Sequence, residues 1–145
     1  MLKRLFVGIL FVASGSAAQP SPEPRAFVCT FDDGAYDEYD GVWRTTPSTS
    51  FMDFTLAALD EQRGTAEFVG NLGAVPVAFI RGFSSRSFIE VTAAGVVNLI
   101  TIFDTEFFTL EGTRFPAVYS RHVAYELGDF FPSHWRGVSV AGGRP

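Results

Sequence analysis

The sequence predicts an all-β fold, a single antiparallel barrel or sandwich of about 7–9 short strands with at most one short helix. Three observations lead there. Phe, Val, Thr, Ile and Tyr are abundant, with Phe alone occurring 16 times, and these residues suit a pleated, half-buried surface. Gly closes one apolar run after another at intervals of roughly eight to twelve residues, the spacing of hairpin-linked strands. No apolar stripe of helical period persists for three turns.

The elements follow in chain order. Residues 26–31 read as a first strand, ended by the hairpin signal Asp32-Asp33-Gly34. Met52, Phe54, Leu56 and Ala58 alternate with Asp53, Thr55 and Ala57, a period-two strand. Glu61-Gln62-Arg63-Gly64 is a loop with Gly at the positive-φ position, and 65–69 is the return strand. Asn71-Leu72-Gly73 turns the chain into a strand through Val75, Val77 and Phe79, closed by Gly82. Phe88, Ile89 and Val91 lead to Ala93-Ala94-Gly95. Residues 96–103 are the most apolar stretch and are expected to form the most buried strand. Segments 107–110 and 113–123 flank Glu111-Gly112, with Pro116 expected at an edge or bulge because it cannot donate to a ladder. Residues 135–140 close the sheet. The one short helix is expected at 56–62 or as a turn near Tyr125.

Residues 1–18 read as a secretory signal peptide. Lys3 and Arg4 form a basic head, 5–13 an apolar core, and Ser16-Ala17-Ala18 a small-residue cleavage site. The apolar core is roughly half the length that spans a bilayer, which favours cleavage over retention as an anchor. A Pro-rich leader occupies 19–25, the single domain 26–141 and a short tail 142–145. The expected product is exported, periplasmic or secreted, and soluble.

Cleavage after Ala18 removes Lys3 and Arg4. That leaves 9 of the 11 cations against 16 acids, a net charge near −7 in place of −5. Such a surface repels nucleic acid and anionic lipid, so neither is expected as a partner. The remainder holds no lysine, which excludes Schiff-base chemistry. Cys29 has no second cysteine to pair with and lies eleven residues past the cut, too far for lipidation there. Its apolar surroundings, Ala26-Phe27-Val28, mark it as a buried thiol.

Candidate sites are few. His122 and His134 are the only histidines, and with Asp129 or Glu126 they would make a metal set, but twelve residues separate them and no known ligand spacing is matched. Ser120 and His122 fall on one face of a strand and are the candidate catalytic pair of a small hydrolase. No Gly-x-Ser-x-Gly elbow accompanies them. Arg121 is expected to pair with Glu90 or Glu106. Asp32, Asp33, Asp37, Glu38 and Asp40 crowd together without EF-hand order. With Tyr36 and Tyr39 they form an acidic, aromatic loop, either a solvated turn or a docking element. Trp135 and the Phe107-Phe108 and Phe130-Phe131 pairs add aromatic surface for a binding site or pocket mouth.

Gly41-Val42-Trp43 resembles the Gly-x-Trp of lipocalin-like barrels. The resemblance implies a barrel in which a late Arg, here Arg121 or Arg136, packs over Trp43. The sequence as a whole predicts a monomeric, non-enzymatic binding domain of the cell envelope with no metal and no cofactor. Its partner would be a small apolar ligand or a protein, contacted through Arg121, His122, His134, Trp135, Asp33, Tyr36 and Tyr39. The alternatives are the Ser120/His122 hydrolase and an inhibitor of a basic enzyme such as a lysozyme, met by the acidic loop.

Overall fold

Alternation is the rule that builds this molecule. The computed structural model describes residues 24–39, 41–109, 112–123 and 132–142. These form ten strands and no helix: β1 (Phe27–Tyr39), β2 (Trp43–Ser48), β3 (Met52–Asp60), β4 (Thr65–Gly70), β5 (Gly73–Arg81), β6 (Ser85–Val91), β7 (Val97–Phe103), β8 (Phe107–Thr109), β9 (Gly112–His122) and β10 (Ser133–Ala141). Eight strands close an antiparallel barrel in the order β1, β3, β4, β5, β6, β7, β9, β10, with β10 returning to β1. β2 and β8 are additions that pair with β1 and β9. β1, β4, β6 and β9 finish at the same end of the barrel, its upper end.

Period-two residues fill the interior. Phe27, Cys29 and Phe31 point inward from β1, Phe54 and Leu56 from β3, Ile100 and Ile102 from β7, and Phe115, Ala117 and Tyr119 from β9. An eight-stranded barrel is just wide enough for side chains to fill, and here rings do most of the filling. Phe79 stacks on Phe88 with centroids 5.0 Å apart, and Phe27 meets Phe115 edge-on at 5.8 Å. Each fully buried Phe stabilises the fold by about 1.5–3 kcal/mol. The strand expected to be most buried, β7, in fact buries Asn98, Ile100 and Ile102 and leaves its other face half-covered. A closed barrel has a single apolar face.

The first strand does not stop at Asp32-Asp33-Gly34. β1 runs on to Tyr39, and Asp32 is absorbed as a bulge between Phe31 and Asp33. Two contacts hold the continuation: Asp33 pairs with Arg136 at 3.0 Å, and Gly34 lies opposite Trp135. A Cβ on Gly34 would overlap the Cδ1 and Nε1 of that ring, so only glycine fits. The upper half of β1 also pairs with β2, so a two-stranded arm extends along this side, with Tyr39 opposite Trp43 at its tip.

β2 and β3 together line one edge of β1. Phe27–Phe31 face β3 and Gly34–Tyr39 face β2. Thr49, Ser50 and Phe51 interrupt that edge. The segment expected to be helical, 56–62, is the end of β3 and a turn. Its alternation breaks at Ala58, which takes φ 49° beside a register shift. Gly64 has the positive φ expected of it, and Gly73 and Gly95 share it. Pro116 sits where the partner of β9 changes. β7 reaches Ala117 and β8 begins at Arg114, so the missing N–H costs no ladder bond on that side.

At the lower end a charged cluster closes the interior. Arg81 reaches Asp104 at 2.6 Å, the buried Arg86 binds the other oxygen of Asp104, and the Arg86 guanidinium lies 5.3 Å from the centre of the Phe27 ring. Among the described residues, no helix is long and apolar enough to cross a membrane. Residues 1–23, Asp40, Leu110, Glu111, Tyr125, Glu126, Asp129, Phe130, Phe131 and 143–145, with the expectations placed on them, lie outside the described residues.

Candidate functional site

Two rows of inward side chains cross the upper barrel. In the topmost row, Glu90 on β6 pairs with Asn98 on β7, Asn98 with Arg121 on β9, Arg121 with Ser133 on β10, and Ser133 with Tyr36 on β1. The row below is apolar and aromatic: Phe79, Phe88, Ile100, Tyr119, Trp135, then Gly34. Directly paired residues stand about 5 Å apart at Cβ, so the upper row is a polar rim above an aromatic floor.

Hydrogen bonds tie rim to floor. The Tyr119 hydroxyl donates to Asn98 Oδ1 at 2.7 Å, and Asn98 Nδ2 donates to Glu90 Oε2 at 2.6 Å. Burial pushes the Tyr119 hydroxyl above its ordinary pKa. The Arg121 charge opposes that shift and the Glu90 charge adds to it. Tyr119 therefore stays a neutral donor, and its ring stacks at a tilt on Trp135 with centroids 5.4 Å apart. Trp135 is 8% exposed, and its Nε1 has no hydrogen-bond partner among the described residues.

Two cavities adjoin this floor. One, of about 340 Å³, lies over Trp135, Ser133, Tyr36 and Arg121. The other, of about 450 Å³, runs beside β3 and β4 and is lined by Phe51, Met52, Phe54, Phe68 and Tyr119 among others. Phe51 is 62% exposed and Tyr119 belongs to the core, so this second cavity joins the interior to solvent. The two flank the interruption at 49–51: Ser48 and Ser50 line the smaller, Phe51 and Met52 the larger.

The sequence-derived residues divide between the two faces of the barrel wall. Arg121, Trp135 and Tyr36 converge at the smaller cavity. Ser120 and His122 fall on the outer face of β9, because Tyr119 and Arg121 take the inner one. Ser120 lies opposite His134, also outward, so these three flank one another away from both cavities. Arg121 does not pair with either expected acid. Asn98 intervenes between it and Glu90, and Glu106 follows β7 at the lower end. The contact implied by the Gly-x-Trp resemblance is not made: Trp43 packs on Tyr39 at the tip of the arm, with centroids 5.1 Å apart, and Arg136 is engaged with Asp33. Asp37 accepts a hydrogen bond from Thr45 across the same arm. Among the described residues, no three His, Cys, Asp or Glu side chains gather in a way that could hold a metal ion.

Asn98, Tyr119 and Ser133 are site residues that the sequence reading did not single out. The run Phe115, Ala117, Tyr119, Arg121 held the signal, since a strand that buries the first three must turn Arg121 inward with them. Comparison with family models, curated proteins and solved structures gives no match.

Proposed function

We propose that this chain is an exported binding protein that holds a small, largely apolar ligand in its upper barrel. Export rests on the basic, apolar and small-residue pattern of 1–18. Binding rests on one observation above the rest, the cavity of about 450 Å³ that reaches from the exposed Phe51 to the Tyr119 ring. Ligand sites usually fall between roughly 300 and 1,000 Å³ and combine an apolar lining with a few placed polar groups. Met52, Phe54 and Phe68 provide apolar lining, Asp53, Thr55 and Asn71 provide polar groups, and Asn98 fixes the Tyr119 hydroxyl behind them.

Thermal unfolding of the purified protein against a panel of neutral apolar compounds, such as dodecanol, naphthalene and a sterol, tests this. A ligand at a hundred times its Kd adds about 2.7 kcal/mol. For a domain of this size that raises Tm by several degrees. An unchanged Tm across the whole panel removes the reading.

A further inference from the structure

The geometry points to a carboxylate on that ligand, held by Arg121 at the smaller cavity while its apolar body lies in the larger one. This inference rests on the proposed binding function and specifies its ligand as an amphiphilic monocarboxylate. Four observations carry it. Arg121 lies at the rim on the inward-facing side of β9, exposed to solvent and in register with Ser133 and Asn98. Its guanidinium makes no ion pair or hydrogen bond among the described residues and lines the open cavity of about 340 Å³. Its floor is Trp135, whose ring is seated against Gly34 with the buried Nε1 unpartnered among the described residues.

The two cavities meet at one wall. Ser50 and Phe51 are consecutive and line one cavity each, and the Tyr119 ring of the larger touches the Trp135 ring of the smaller. One molecule can thus place a chain or ring system against Phe54 and Phe68 and its head group at Arg121. Guanidinium suits that head group because its planar fork matches a carboxylate in two parallel hydrogen bonds. The Ser133 and Tyr36 hydroxyls beside it give further polar contacts. Glu90 is the opposing charge in the row, but Asn98 holds one of its oxygens and stands between it and Arg121.

Binding of dodecanoic acid and dodecanol to the full purified protein at pH 8 separates the two claims. Trp135 emission reports occupancy, with Trp43→Phe as background so that no other indole contributes. The acid binds about tenfold more tightly than the alcohol, the size expected of one charge-assisted pair at a partly wet site. In Arg121→Gln that ratio falls to near one, and in Arg121→Lys it is partly kept. Arg136→Gln, which removes the same charge from the outer face, leaves the ratio as in the parent. Equal affinities for acid and alcohol in the parent, or a preference that survives Arg121→Gln, overturns the head-group assignment and leaves the cavity reading standing. Failure of both compounds to bind sinks the binding function itself.

Discussion

The Trp135 ring lies over the bare Cα of Gly34, its directly paired neighbour across β10 and β1. One missing methyl group therefore lets the ring seat against β1. It also lets β1 continue past its bulge to form the arm. Gly34→Ala forces the ring out of place, and overpacking of this kind costs about 1–3 kcal/mol. A urea titration should show the midpoint fall at unchanged m. Adding Trp135→Phe should recover part of the loss, because the two sites are in contact and do not act additively.

Asp104 holds Arg81 and the buried Arg86 together at the lower end. Asp104→Asn keeps the shape and removes the charge, so a desolvated cation loses its carboxylate, at a cost of about 3 kcal/mol. Arg86→Met removes the cation and leaves an apolar side chain over Phe27, so it should cost clearly less. Equal losses for the two variants, measured by chemical denaturation, would show that the charge balance is not what matters there.

Cys29 is fully buried, and burial pushes its thiol from 9.0 up to about 12. The neutral form is favoured in the folded chain, so this contribution is whole below pH 9. It declines as pH rises from 9 toward 12, by roughly 1.4 kcal/mol per unit within that window. Tyr119, shifted upward by burial, acts in the same direction above its ordinary value of 10.0. Stability should therefore fall steeply on the alkaline side. A thiol reagent at pH 8 should label the folded protein only at the rate of global unfolding. Fast labelling would place Cys29 at the surface.

Ser120, His122 and His134 lie on the outer wall. Ser120→Ala and His122→Ala should each leave ligand titrations within about twofold of the parent and change stability by about 0.5 kcal/mol or less. Ester hydrolysis by the parent that is lost in both variants would restore a catalytic reading of that face.

The barrel was largely legible because its interior follows period two and its turns carry glycine at positive φ. What the sequence concealed depends on partners distant along the chain. Asp32-Asp33-Gly34 has the composition of a turn, yet Arg136 and Trp135, about a hundred residues later, convert it into a bulge and a strand. Alternation alone put Ser120 and His122 together. Choosing their face required knowing that Tyr119 is buried, which follows once Phe115 and Ala117 are taken as core. The cavities were hidden for a different reason. They arise where 49–51 interrupt a strand edge, and no local pattern announces a gap in a wall.

Calorimetric titration of the purified protein with dodecanoic acid at several temperatures is the decisive measurement of ligand binding in the upper barrel. Binding should saturate at one molecule per chain with a negative heat-capacity change, the mark of apolar surface leaving water. No saturable heat at any temperature, together with an unmoved Tm, would contradict it.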